Sequence, residues 1–213
     1  MSKDDQQTRE RLLGAAAKLF SERGYKETGV REICAEAGAN VAAINYHFRD
    51  KWGLYKELIQ TIIEDSIKLQ QRAHDSPAGT APEERLRNYI RVFLHHGLSK
   101  GKDSWRGKLM GREMIDPTEG LDLFVDQVIR PNGERVGKLV AEIMGCPVTD
   151  PRVGLCVGSI QTQIYGYFGP VIPRLAPHLK FTAEVIDAIA DHITDFSLGG
   201  IRAITNKKVE VQS

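Results

Sequence analysis

Between Thr28 and Lys51 the chain reads TGVREICAEAGANVAAINYHFRDK, a run that concentrates residues suited to recognising a nucleic acid. Asn45 carries an amide able to pair bidentately with adenine, and Val41 or Ala42 can touch a thymine methyl. Ala42 and Ala43 are small enough to let a helix enter a groove deeply. Thr28, Arg31, Tyr46, His47 and Lys51 are groups that can reach phosphate oxygens, which fixes register without reading sequence. Asn40 belongs to the same DNA-facing set and can also cap the helix that follows it.

That chemistry works only if a helix is held against the duplex, and the flanking pattern supplies one. Thr28 reads as the N-cap of a short helix carrying Val30, Ile33, Cys34 and Ala37. Gly38 can take the left-handed conformation of a tight turn, and Asn40 opens a second short helix through about Phe48. Two short helices about a glycine turn are the parts of a helix-turn-helix, whose second helix lies in the major groove. Leu12, Leu13, Ala16, Leu19 and Phe20 recur at helical spacing ahead of them, and Gly24 reads as the stop. Asp50 reads as the cap of a long helix holding Leu54, Leu58, Ile62 and Ile63.

Beyond a linker at His74–Pro82, the pattern predicts helices over 83–98, 105–114, 117–144, 151–168 and 182–204. Pro131 should break or kink the third. No alternating apolar run argues for a strand, so the expected class is all-α: a three-helix DNA-binding head at 1–50 and a larger helical domain at 51–213.

The head resembles the DNA-binding domain of the tetracycline-repressor (TetR) family of bacterial regulators. The likeness runs over Phe20, Gly24-Tyr25, Thr28 to Ile33, Ala37-Gly38, Ile44, Tyr46-His47-Phe48 and Lys51. Asn45 departs from it, because the family usually has tyrosine there. The run Asn40 to Phe48 instead resembles a subgroup, the CecR-like regulators. Arg112-Glu113, Pro117-Thr118 and Val128 to Pro131 resemble that subgroup's C-terminal domain. The resemblance implies a homodimer whose two heads bind a pseudo-palindromic operator, usually to repress, and let go when a small effector binds the C-terminal domain. Recognition helices must then lie about 34–36 Å apart, or a multiple, to enter successive major grooves.

In the C-terminal part, aromatic and methionine residues are candidates to line an effector pocket. They are Trp105, Met110, Met114, Phe124, Tyr165 and Phe168, with Glu113 and Gln161 as polar groups to orient a ligand. Gly154 and Gly158 would let two helices approach closely. In the resembled family the last two helices form the dimer interface, which makes Val185, Ile189, Ile193 and Phe196 its apolar candidates here. Asp187, Asp191 and Asp195 read as a solvated stripe on the last helix.

Other function classes find little support. No Glu has a His three residues on, which a di-iron bundle needs, and HExxH and GxGxxG are both missing. Gly101 to Lys108 has glycine spacing one residue too long for a phosphate-binding loop and reads as a basic loop. Cys34, Cys146 and Cys156 are scattered and odd in number, so they frame neither a disulfide set nor a zinc site. No cofactor or metal is expected. A net charge of +1 means that any DNA affinity must come from a local surface. No membrane span or signal peptide is visible, so the expected location is the cytoplasm. The rival reading is a helical adaptor that uses this fold for protein contacts alone; it would have no need of the DNA-facing side chains.

Overall fold

The computed structural model describes residues 3–99, 104–169 and 171–206, and every regular element among them is a helix. In chain order these are α1 (Lys3–Arg23), α2 (Val30–Ala37), α3 (Val41–Phe48), α4 (Lys51–His74) and α5 (Pro82–Ser99). Then come α6 (Trp105–Glu113), α7 (Glu119–Phe124), a π-helical turn (Val125–Ile129) and α8 (Arg130–Met144), followed by α9 (Pro151–Gly166), α10 (Val171–Leu175) and α11 (Ala183–Thr205). The first three residues of the basic loop read from Gly101 to Lys108 lie outside the described residues.

Local chemistry accounts for most helix ends. Asn40 Oδ1 accepts the Ala43 amide at 2.9 Å, and Asp50 Oδ1 accepts that of Gly53 at 2.7 Å. Gly24, Gly38 and Gly145 close their helices at positive φ. Thr28 does not cap α2 as its position suggested. The N-cap is Gly29, whose amide is held by the Glu32 carboxylate at 2.9 Å. The single helix expected over 117–144 is divided into α7, the π turn and α8. Pro131 lacks an amide proton and would clash with a carbonyl one turn back, so it sits in the first turn of α8, and the wide turn precedes it. The pattern showed no sign of α10.

These helices gather into two compact units: residues 1–66 with 103–128, and residues 67–102 with 129–213. The boundary falls inside α4. In the first unit α1 packs on α2, α3 and α6 around Leu12, Phe20, Ile33, Ile44 and Leu109, each fully buried. The second is built on α5, α8, α9 and α11, with Leu86, Ile90, Leu94, Val136, Val140, Ile160 and Ile201 in its core.

The aspartates of α11 are not merely solvated. Asp191 meets Arg87 at 2.7 Å and Arg91 at 3.3 Å, while Asp195 meets Arg87 at 3.0 Å. Asp187 meets His95 at 2.9 Å and Arg91 at 3.2 Å. Arg87, Arg91 and His95 recur every four residues on α5, so two helices of matching period are registered by a charge ladder. Each rung is at least partly exposed and individually weak. The hydrogen bond from His95, together with the nearby cations, holds the Asp187 carboxyl below its ordinary value.

Asp150, the N-cap of α9, accepts from the Arg152 guanidinium and backbone amide, which brings its pKa down to about 2. A depressed carboxylate contributes stability that is complete above the unfolded value near 4 and is lost as pH falls toward 2. The melting temperature of Asp150→Asn should therefore lie below that of the unaltered protein at neutral pH and converge with it between pH 4 and 2. A gap that stays constant over that range would show that the charge contributes nothing.

Candidate nucleic-acid interface

α3 has two faces. Ile44 and Phe48, four residues apart, are buried at 0% and 6% exposure and anchor the helix to its unit. Val41, Ala42, Asn45 and Tyr46 point outward, with Tyr46 73% exposed, while Ala43 and His47 are half-buried. Tyr46 and His47 meet edge to face at 4.8 Å. The outward side is thus a small-residue helix start followed by an amide and a phenol, a surface that can enter a groove.

The surrounding cations divide by what they touch. Arg9 pairs with Glu57, Lys18 with Glu36 at 2.7 Å, and Arg23 with Glu32 at 2.9 Å. Arg31 and Arg49 are exposed and have no ion-pair partner among the described residues. Lys51 is half-buried, lies over the Tyr25 ring at 4.4 Å, and has its pKa pushed down by burial. Thr28 is turned the other way. At 1% exposure its hydroxyl donates to Gly24 O at 2.8 Å, so it holds the α1–α2 turn instead of facing outward.

Two features at the end of α3 escaped the sequence reading. Arg49 is the only described non-glycine residue with positive φ, at φ 73° and ψ −46°, close to the rare γ-turn conformation. Such a residue is held under strain of about 1–2 kcal/mol. Arg49→Gly should therefore raise the melting temperature while weakening DNA binding, because it removes an unpaired exposed cation. Loss of stability in that variant would mean that Arg49 makes a favourable contact outweighing the strain. The second feature is Gly53, where an added Cβ would stand 1.9 Å from the Phe48 carbonyl oxygen.

The head is completed by a distant stretch of chain. Arg112 on α6 donates from Nε to Ser21 O at 2.9 Å and also to Glu22 O, capping carbonyls at the end of α1. Glu113 is 1% exposed; it accepts from the Tyr55 hydroxyl, the Thr118 amide at 3.1 Å and the Thr118 hydroxyl at 3.0 Å. Burial and the Glu113 carboxylate push the Tyr55 hydroxyl far above its ordinary value. Tyr55 also stacks edge to face on Phe20 at 4.9 Å.

The remaining candidates scatter. Trp105, Met110, Glu113, Met114 and Phe124 belong to the first unit, whereas Gln161, Tyr165 and Phe168 belong to the second. Met114 is 60% exposed, and Glu113 is already satisfied by its own unit. Trp105 carries Arg106 over its ring, while Phe168 lies against Tyr165 at 5.9 Å and fills the space above Gly97. The second unit holds a buried polar chain that the sequence did not reveal. Asn132 Nδ2 donates to Tyr89 Oη at 2.9 Å, and Asn132 Oδ1 lies 3.3 Å from His74 Nε2. Gln161 hydrogen-bonds the same tyrosine. These groups come from four helices, so no local spacing announces them. Of the interface candidates, Gly154, Gly158 and Phe196 are exposed, and Leu155, 72% exposed, lies beside the glycines. Val185 and Ile189 are half-buried, while Ile193 is inside the core of the second unit. No group of three or more metal-ligating side chains occurs among the described residues, and none of their helices is long and apolar enough to cross a membrane.

A turn-linked helix pair presenting one outward face of this composition defines a helix-turn-helix regulator of transcription. Residues 12–58 match the family of bacterial regulatory proteins of the tetR type, and residues 82–201 match the C-terminal domain of the HTH-type transcriptional dual regulator CecR. The dual regulator CecR of Shigella flexneri is 32% identical over 171 residues, 76% of each chain. YttP of Bacillus subtilis, described as a probable HTH-type transcriptional regulator, is 33% identical over 42% of this chain and 43% of its own. Among solved structures, a TetR-like regulator from Rhodococcus sp. RHA1 superposes with a TM-score of 0.62 at 21% identity, covering 94% of this chain and 97% of that one. The TetR family regulator PfmR of Thermus thermophilus gives 0.62 at 19% identity, covering 87% and 97%. This chain belongs to the tetR family of bacterial regulatory proteins, with a C-terminal domain of the CecR kind.

Proposed function

We propose that the chain acts as a homodimer that binds a pseudo-palindromic operator through two copies of α3 and is released by a small effector held in the second unit, residues 67–102 with 129–213. The observation that carries the reading is the outward face of α3: exposed Val41, Ala42, Asn45 and Tyr46, with Arg31 and Arg49, which have no ion-pair partner among the described residues, nearby. Asn45 reads a base, while Tyr46, His47 and the two arginines hold phosphates. The exposed Gly154–Leu155–Gly158 strip of α9 and Phe196 of α11 suit the contact between protomers. The buried Tyr89–Asn132–His74 chain with Gln161 suits the polar part of an effector site. Effector and operator then oppose each other by one coupling factor. The chain acts as a repressor in this reading; its relative CecR is named a dual regulator.

The test is selection of bound fragments from the source genome at stated salt, with Tyr46→Ala as control. An inverted repeat is expected, with affinity falling steeply as salt rises. Tyr46→Ala should cost about tenfold per head, the worth of one phosphate hydrogen bond, with the helical content intact. If no repeat is enriched at low salt, or if affinity is flat in salt, the groove-docking reading fails and the adaptor reading replaces it.

A further inference from the structure

The second unit has a small basic pocket that shares only His74 with the polar chain just described. α4 ends at His74, α5 brings Arg85 in its first turn, and α8 turns Arg135, Lys138, Leu139 and Glu142 to the same side, at helical i, i+3, i+4 and i+7 spacing. Together they line a pocket of about 110 Å³. That is several times the roughly 10–15 Å³ which one water requires on the same kind of measure.

Charge within it is unbalanced. Three permanent cations face a single carboxylate, and that carboxylate is engaged by Arg85 at 2.5 Å. Lys138 stands one helical turn before Glu142, a spacing that would permit an ion pair, yet neither Lys138 nor Arg135 has one among the described residues. Arg85 Nε is shut off from solvent without a hydrogen-bond partner there, although an unmet buried donor is costly. His74 adds no charge at neutral pH, since burial and the Arg135 charge lower its pKa. An anion in the pocket would balance the excess positive charge and meet the buried Arg85 donor.

We propose that this pocket binds a compact oxyanion, a phosphoryl or carboxylate group, through Arg85, Arg135 and Lys138. An oxyanion supplies several acceptors to a guanidinium and an ammonium at once, which chloride cannot. The size of the pocket limits the occupant to one such group, and Leu139 gives it an apolar wall.

The experiment is calorimetric titration of the full chain with inorganic phosphate and, separately, with acetate, with sodium chloride holding ionic strength constant. Saturable binding of at least one anion is expected, together with a rise in melting temperature. Binding of phosphate alone assigns a phosphoryl ligand; binding of acetate assigns a carboxylate. Arg135→Gln with Lys138→Gln, two exposed positions on α8, should weaken binding at least tenfold without changing the helical content. Tyr46→Ala should leave it unchanged, which separates this site from the phosphate-facing head. The proposal is overturned if neither anion binds beyond chloride. It is overturned equally if the double variant binds as well as the unaltered protein, or if Tyr46→Ala abolishes the signal.

Discussion

Gly53→Ala is expected to lose specific DNA binding and to melt several degrees below the unaltered protein. The new Cβ would stand 1.9 Å from Phe48 O, and the obstacle is backbone, which cannot swing aside as a side chain would. Either α4 withdraws by roughly 1 Å or more, or the last turn of α3 unwinds. Overpacking of this kind costs about 1–3 kcal/mol, which for a chain of this length lowers the melting temperature by roughly 3–10 °C. The functional loss should exceed the thermal one, since a recognition element about 1 Å out of place no longer satisfies all its contacts together. Calorimetry and fluorescence anisotropy with the selected operator would measure both. Unchanged binding would show that α4 can start elsewhere without disturbing α3.

The second large effect is at Glu113. Glu113→Ala would strand the Tyr55 hydroxyl and the Thr118 amide and hydroxyl in a site where Glu113 and Tyr55 are each 1% exposed and Thr118 is half-buried. Each buried group left unmet costs about 1–3 kcal/mol, and breaking a buried network typically totals about 3–5 kcal/mol. The melting temperature should fall by roughly 10 °C. Glu113→Gln keeps one acceptor oxygen and should lose less, and Tyr55→Phe, which removes a single donor, less again. A Glu113→Ala protein as stable as Tyr55→Phe would mean that water replaces the carboxylate, and the network would then carry little of the stability.

What could be read from the sequence was local. The two short helices, the Gly38 turn and the Asn40 and Asp50 caps each depend on residues within a few positions, so residue type and spacing disclose them. Ile44 and Phe48 follow from helical period, and the outward set follows from the same count. The failures share one cause, which is pairing across long separations. Thr28 suits an N-cap by type, but its hydroxyl is taken by the carbonyl of Gly24 as the chain turns inward. The aspartates of α11 read as solvated because their partners lie on α5, about a hundred residues earlier. Glu113 read as a group to orient a ligand, but a carboxylate meeting Tyr55 and Thr118 has its acceptors used within its own unit. Gly53 drew no attention in the sequence, since nothing in the letters shows that a carbonyl passes beside it.

The division of the first unit into residues 1–66 and 103–128 bears on how the molecule is made. Synthesis on the ribosome proceeds from the N-terminus at about 5–20 residues per second, and compact parts form as they emerge. Here the head is translated first, yet α1 cannot have its terminal carbonyls capped, nor Tyr55 its acceptor, until Arg112, Glu113 and Thr118 have left the exit tunnel. For several seconds the nascent α1–α4 segment has its helices but lacks the clasp that joins them, and it is then most open to proteases and chaperones. A head transplanted onto another regulator by cutting after α4 would stay in that state permanently, so an exchange of DNA specificity between relatives must carry the 103–128 stretch with it.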